Sequence, residues 1–291
     1  MNRKSIATAA FSLIVLVATL SSCSKDDNNG SGGYNNSPQP PASDVQLTTN
    51  TTFGSILTDT KGVTLYSFAP DVSGDGTCAG ACLVTWPVFY KANPSFGTGL
   101  KKEDFGEITR KADGAKQTTY KGWPLYYFSK DTAPGTVNGD GVGKTWFVSK
   151  PDYTVMLGQG QLIGKDGVSY NAQYTPATAT TQFMTNDRGV TVYGFTKDRA
   201  NKNNFTLSDF SNDTVWPIYQ VATVASVPSI FNKADFGVIS VFGKSQLTYK
   251  QNPVYFYGGD AGVRGSTKGV SVTTPGLWPI LNTDTQAAAA Q

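Results

Sequence analysis

Histidine is missing from this chain altogether. That absence removes the Ser-His-Asp and Cys-His catalytic sets, imidazole-held zinc or haem, and the Cys-x-x-Cys-His haem attachment. An enzyme built on it would have to work with carboxylates, Tyr, Lys or Ser alone. Glutamate is confined to Glu103 and Glu107, while Gly, Thr, Tyr and Phe are abundant. That balance favours strands and turns over helices. No basic run is interleaved with aromatics, which sets nucleic acid aside as a partner. Once Arg3 and Lys4 leave with a cleaved leader, 22 basic and 21 acidic residues remain, so no sign of charge dominates. Beyond the first residues, no segment is long and apolar enough to cross a bilayer as a helix.

The chain opens with the basic stretch Met1-Asn2-Arg3-Lys4, followed by an apolar run from Ala10 to Leu20. This is the length of a signal peptide and short for a membrane span. The run ends in Leu20-Ser21-Ser22-Cys23, which resembles a bacterial lipobox, with Cys23 as the acylated residue. Acyl chains contribute about 0.8 kcal/mol per buried methylene, and more than one gives stable anchoring. Ser24-Lys25-Asp26-Asp27 is similar to the acidic export signal of surface lipoproteins. The expectation is an outer-membrane lipoprotein exposed at the surface, with the periplasmic face as the alternative. Residues 1–22 are then the signal peptide and 23–43 a Gly, Ser, Asn and Pro tether that cannot bury a core.

One pattern organises the rest. Tyr, any residue, an aromatic, two spacers and Asp occur four times: Tyr66, Phe68 and Asp71; Tyr126, Phe128 and Asp131; Tyr193, Phe195 and Asp198; Tyr255, Tyr257 and Asp260. In a strand, residues two apart share a face, so each Tyr and its aromatic partner point the same way. The Asp falls in the following turn, where it can accept from backbone N–H groups or from a buried Tyr hydroxyl. The main expectation for the motif is therefore structural, with ligand contact as the alternative.

The copies group into two halves. Met184-Thr185-Asn186-Asp187-Arg188-Gly189-Val190 matches residues 57–63, Val215-Trp216-Pro217 matches the element at Trp86-Pro87, and Gln246-Leu247-Thr248-Tyr249-Lys250 matches Gln117-Thr118-Thr119-Tyr120-Lys121. The predicted fold is all-β, a tandem duplicated antiparallel repeat with half 1 at residues 44–170 and half 2 at 171–285. Residues 286–291 are expected to form a disordered tail.

Cys78 and Cys82 remain after Cys23, and outside the cytoplasm such a pair favours a disulfide. A redox-active pair and a two-thiolate metal site are the alternatives. The second half has Asn203 to Ser208 at that place, so the repeat survives without cysteines. Asp71, Ser73 and Asp75 resemble the opening of a calcium loop but lack its distal Glu, a weak metal candidate. Trp86, Trp123, Trp216 and Trp278 each precede Pro and read as packing corners. If any aromatic forms a binding face, Trp86 and Trp123 are the candidates. A carboxylate hydrolase would need two of the repeated Asp residues to face one cleft.

The Tyr motif copies, the Cys78–Cys82 loop, Trp86-Pro87, Gln117-Thr118-Thr119-Tyr120 and Gly122-Trp123-Pro124-Leu125-Tyr126-Tyr127-Phe128 together resemble the secreted-repeat lipoproteins with a Tyr-x4-Asp motif. The resemblance implies an extracytoplasmic lipoprotein of β repeats and carries no catalytic or binding residues, because that family's function is unknown. The expected role is a non-enzymatic binding or interaction module. Its partners would be a membrane, through the lipid, and an envelope or extracellular protein or glycan. No cofactor is implied. An envelope redox protein using Cys78 and Cys82 and a carboxylate hydrolase are the alternatives.

Overall fold

Strands β1 (Val45–Asn50) and β2 (Gly54–Asp59) pair antiparallel with Leu47 opposite Leu57. The turn after them is written in its residues. Asp59 Oδ1 accepts the N–H groups of Lys61 and Val63, each at 2.9 Å, and Gly62 takes a φ of 77°, which costs least without a Cβ. The second half repeats the device: Asn186 Oδ1 accepts from Arg188 at 3.0 Å and Val190 at 2.9 Å, with Gly189 at a φ of 81°.

The structure is a computed structural model that describes residues 43–290. The signal peptide, Cys23 and all of the tether but Ser43 lie outside the described residues, as does Gln291. The remaining strands are β3 (Tyr66–Phe68), β4 (Phe105–Thr109), β5 (Lys116–Tyr120), β6 (Trp123–Pro124), β7 (Trp146–Val148), β8 (Val155–Ile163), β9 (Ser169–Tyr170), β10 (Thr180–Asn186), β11 (Phe236–Val241), β12 (Lys244–Tyr249) and β13 (Asn252–Pro253). They form small antiparallel sheets, β1–β2, β3–β7, β4–β5–β6, β10–β8–β9 and β11–β12–β13. The all-β, duplicated architecture expected from composition and repeats is what the chain adopts. Register shows the duplication directly. Phe105 pairs with Tyr120 and Thr119 with Pro124, while Phe236 pairs with Tyr249 and Thr248 with Pro253. Between Cys78 and Trp86 lies a single-turn helix, α1 (Ala81–Thr85), which leads directly into the Trp-Pro step.

Only the first Tyr motif lies in a strand, β3. Tyr126, Tyr193 and Tyr255 sit in isolated bridges.

Apolar packing runs across the halves. Val72 and Trp123 cluster with Met156, Phe183 and Tyr193, and Ala69 and Phe147 with Val155, Leu157 and Met184. Full burial of such a side chain contributes about 1.5–3 kcal/mol. At Gly158 of β8 an added Cβ would stand 2.7 Å from Val72 and 3.0 Å from Phe183 of the second half, so the strand must be bare there for both side chains to pack against it. Trp123 donates its indole N–H to Asp187 O at 2.9 Å, and Lys121 pairs with Asp187 at 2.8 Å. The Arg264 guanidinium lies 4.7 Å from the Trp123 ring and donates to the carbonyls of Lys121 and Arg188.

Residues 286–290 depart from the expected disordered tail. Asn252 Nδ2 donates to Gln286 O at 2.9 Å, Ala288 N to Lys250 O at 3.0 Å, and Ala200 N to Ala289 O at 2.8 Å. Their backbone groups find partners at Lys250 in the turn before β13, at Asn252 of β13 and at Ala200 beyond the Tyr193 motif, which composition alone does not show.

Candidate functional site

Two tyrosines bridge backbone to backbone at the centre of each half. Tyr66 N donates to Tyr126 O at 2.8 Å and Tyr126 N to Tyr66 O at 3.0 Å; the Tyr193 and Tyr255 pair exchanges bonds of 2.9 Å in both directions. An antiparallel bridge relates the two repeats by an approximate twofold, so the Asp that trails one Tyr arrives beneath the other. Tyr66 Oη donates to Asp131 at 2.5 Å and Tyr126 Oη to Asp71 at 2.7 Å. In the second half Tyr193 Oη donates to Asp260 at 2.6 Å and Tyr255 Oη to Asp198 at 2.7 Å. The hydroxyls are exchanged between repeats, never satisfied within one.

The second oxygen of each carboxylate is held locally. It accepts the backbone N–H of Thr77 at 2.7 Å, Asn138 at 2.9 Å, Asn204 at 2.7 Å and Lys268 at 3.0 Å, for Asp71, Asp131, Asp198 and Asp260 in turn. Thr77 Oγ1 and Ser266 Oγ add bonds to Asp71 and Asp260. All four carboxylates are buried. Burial pushes Asp71 and Asp198 up to about 6, against the Thr77, Tyr126, Asn204 and Tyr255 hydrogen bonds that favour the charged form. Asp260 is raised for the same reason. The four tyrosines are raised well above the usual phenol range, first by burial and then by the adjacent carboxylate.

A buried carboxylate with both oxygens engaged in hydrogen bonds has no lone pair aimed at a substrate. The hydrolase alternative required two of these Asp residues in one cleft. All four are buried and each is capped by a local N–H, so that reading is set aside for these residues.

The tryptophans close the same constellation from above. Trp86 and Trp146 stack with centroids 3.8 Å apart and planes 3° from parallel, and Trp216 and Trp278 stack at 3.6 Å and 9°. Trp86 and Trp123 are 4% and 2% exposed, which corrects the expectation that they could form a binding face. Trp86 is a core ring, and Trp123 is covered by Arg264. Trp146, which the sequence places in a closing strand matched by Trp278-Pro279, stands outside the Trp-Pro corners because it lacks a following Pro. Its signal was spacing: Trp86 and Trp146 each follow a motif Tyr by 20 residues, and Trp216 and Trp278 follow theirs by 23.

Cys78 and Cys82 form a disulfide, with Cys78 buried. Cys78 O accepts from Arg110 Nη2, whose Nη1 donates to Gln117 Oε1 at 2.7 Å. A Cβ on Gly76 would strike both groups at 2.6 Å. In the second half the residue at Gly76 is Asn203, and its amide reaches Gln246 Oε1 directly at 2.8 Å while capping Phe205 and Thr206. One half thus uses arginine and a disulfide where the other uses an asparagine. The weak calcium candidate does not assemble as a cation site. Asp71 is fully engaged and Asp75 pairs with Lys111 at 2.6 Å. Among the described residues no three His, Cys, Asp or Glu are placed to hold a metal.

An open cavity lies elsewhere. It occupies about 470 Å³ between Tyr174, Phe195 and residues 284–289. The first half has the corresponding place, where Ser67, Trp123 and Ser149 stand for Gly194, Asn252 and Leu281, but only about 10 Å³ remains there. Trp123 fills it against the second half. Asn252, lacking that bulk, leaves the second copy open. No sequence signal marked this site, because the loss of a large side chain is legible only against its structural counterpart.

Residues 47–90 and 107–150 match the profile of a family described as a secreted repeat of unknown function. These segments carry the two repeats that exchange hydroxyls through Tyr66 and Tyr126. No curated protein and no solved structure matches the chain.

Proposed function

We propose that this chain, whose first half carries two copies of the secreted repeat, is a lipid-anchored, non-enzymatic binding module at the outer surface of the cell envelope. The observation that carries the reading is a division of labour. The repeated Tyr and Asp residues are all spent on holding repeats together, whereas the second-half cavity keeps polar groups that no other part of the protein engages. A site of about 470 Å³ is within the usual range of roughly 300–1,000 Å³ for small-molecule pockets. Cys23 supports the anchor, and among the described residues no helix is long and apolar enough to cross a membrane.

Two measurements test this. Alkyne-fatty-acid labelling should mark the wild-type chain and not Cys23→Ser, and protease added to intact cells should remove it; an unlabelled wild type overturns the anchor. Native mass spectrometry of the full chain from its own cells should show a non-covalent adduct that Asn252→Trp loses. An adduct retained in that variant, or none in the wild type, overturns the cavity as the binding site.

A further inference from the structure

We infer that the second-half cavity takes a neutral, polyhydroxylated ligand, a carbohydrate segment seated against Tyr174 and Phe195. The inference rests on the binding-module reading and names its ligand class. The lining holds no Lys or Arg, so an anionic ligand would be desolvated with no opposite charge to receive it. A cation fares little better. Asp198 has both oxygens engaged by Asn204 and Tyr255, which leaves the exposed Asp284 at the rim, where a single pairing is worth little.

Neutral donors and acceptors beside flat apolar surface are what remain. Among the described residues the side-chain amide of the exposed Gln173, Asn252 Oδ1 and the Oε1 of the exposed Gln286 make no hydrogen bond to the protein. An amide offers two donors and an acceptor, the complement of a row of hydroxyls that both give and take. Phe195 is fixed by stacking on Trp278, with centroids 4.2 Å apart, so it meets a ligand as a rigid platform. The negative face of an aromatic ring attracts the weakly positive C–H groups on the flat side of a sugar ring. Tyr174 is held at a φ of 59° and packs against Gly276, where an added Cβ would approach the ring to 2.8 Å.

The two halves also supply a matched control. Where the first half has Trp123, the cavity is filled; where the second has Asn252, it is open. The substitution Asn252→Trp therefore places in the second half a side chain that this fold already accommodates at the equivalent position.

The experiment is saturation-transfer NMR on the full chain in a zwitterionic detergent, with maltotriose, cellotriose and mannotriose as neutral probes. Glucose 6-phosphate, spermidine and triglycine are the anionic, cationic and peptide comparisons. Transfer to at least one neutral saccharide is expected. Affinity should fall roughly tenfold or more, about 1.4 kcal/mol, in Asn252→Trp and in Gln173→Ala. Near-UV circular dichroism checks that both variants keep the native fold. No transfer to any saccharide, equal transfer to a comparison compound, or binding unchanged in both folded variants overturns the inference. If saccharides fail while the native adduct persists in the wild type and is lost in Asn252→Trp, the carbohydrate class falls and the binding-module reading stands. If the adduct is absent too, both fall.

Discussion

Tyr126 donates its hydroxyl to Asp71, 55 residues before it, while Tyr66 donates to Asp131, 65 residues after it. Each repeat thus supplies the acceptor that its neighbour's tyrosine needs. A single repeat would bury a phenol and one carboxylate oxygen without the partners they have here, and each such loss costs about 1–3 kcal/mol. The pair of repeats is the smallest unit whose buried polar groups close, and the second half obeys the same rule through Tyr193 and Tyr255.

Tyr66→Phe should lower stability by about 1.5–3 kcal/mol, the range for a hydrogen bond to a charged group. Tyr255→Phe should do the same from the other half. Urea unfolding of the full chain measures both. A double-mutant cycle of Tyr66→Phe with Asp131→Asn should show clear coupling, because the two groups touch, whereas Tyr66→Phe with Tyr255→Phe should be close to additive. Additivity in the first cycle would mean that the Tyr66 bond contributes nothing.

The raised carboxylates give stability a defined dependence on pH. Burial pushes Asp71 and Asp198 up to about 6 in the fold, from the ordinary carboxylate value of 3.8. Between about 4 and about 6 the folded chain keeps protons that the unfolded chain has released. The contribution of these two groups is therefore full below that window, declines as pH rises through it, and levels off above it. Asp71→Asn, which mimics the protonated form, should flatten part of the decline in denaturation curves taken across the window. A decline identical to wild type would remove Asp71 from the linkage.

The disulfide should be dispensable for folding. Its cysteines are four residues apart, and a loop that short constrains the unfolded chain by only about 2 kcal/mol. The Asn203 bonds hold the corresponding loop without any cysteine. Cys78→Ser with Cys82→Ser should keep the native near-UV circular dichroism and lose about 2 kcal/mol or less in urea. Loss of the folded signal in buffer would show that the first half, unlike the second, requires the cross-link.

Gly139 and Gly269 should reject even a methyl group. Each backbone lies on the ring of a motif tyrosine: a Cβ at Gly139 would stand 2.9 Å from Tyr66, and one at Gly269 would stand 2.6 Å from Tyr193. Their N–H groups lie 3.2 and 3.3 Å from the respective hydroxyls. Gly139→Ala and Gly269→Ala should each cost about 1–3 kcal/mol through overpacking. Gly114→Ala is the control for a glycine with nothing within 4 Å but a φ of 71°. If the two buried variants lose no more than this control, the close approach is not what excludes a side chain there.

The sequence by itself determined the class of the fold and its duplication. Scarcity of Glu, abundance of Gly, Thr and aromatics, and four spaced copies of one motif act locally or add along the chain, so they are legible in one dimension. The Asp59 and Asn186 turns are of this kind, since an oxygen side chain two residues before an N–H needs no distant partner. The motif also announced that Tyr and Asp belong together.

Which Tyr meets which Asp was decided only by the tertiary structure. The exchange follows from the antiparallel Tyr66–Tyr126 bridge, a contact between residues 60 positions apart. Burial of Trp86 and Trp123 was likewise settled by what packs over them: Trp146 in one case, Arg264 and the Asp187 carbonyl in the other. The cavity beside Asn252 is the furthest from sequence. It exists because one half covers the other's face at Trp123, while the corresponding face of the second half is left open to solvent, and an empty volume has no residue of its own to spell it.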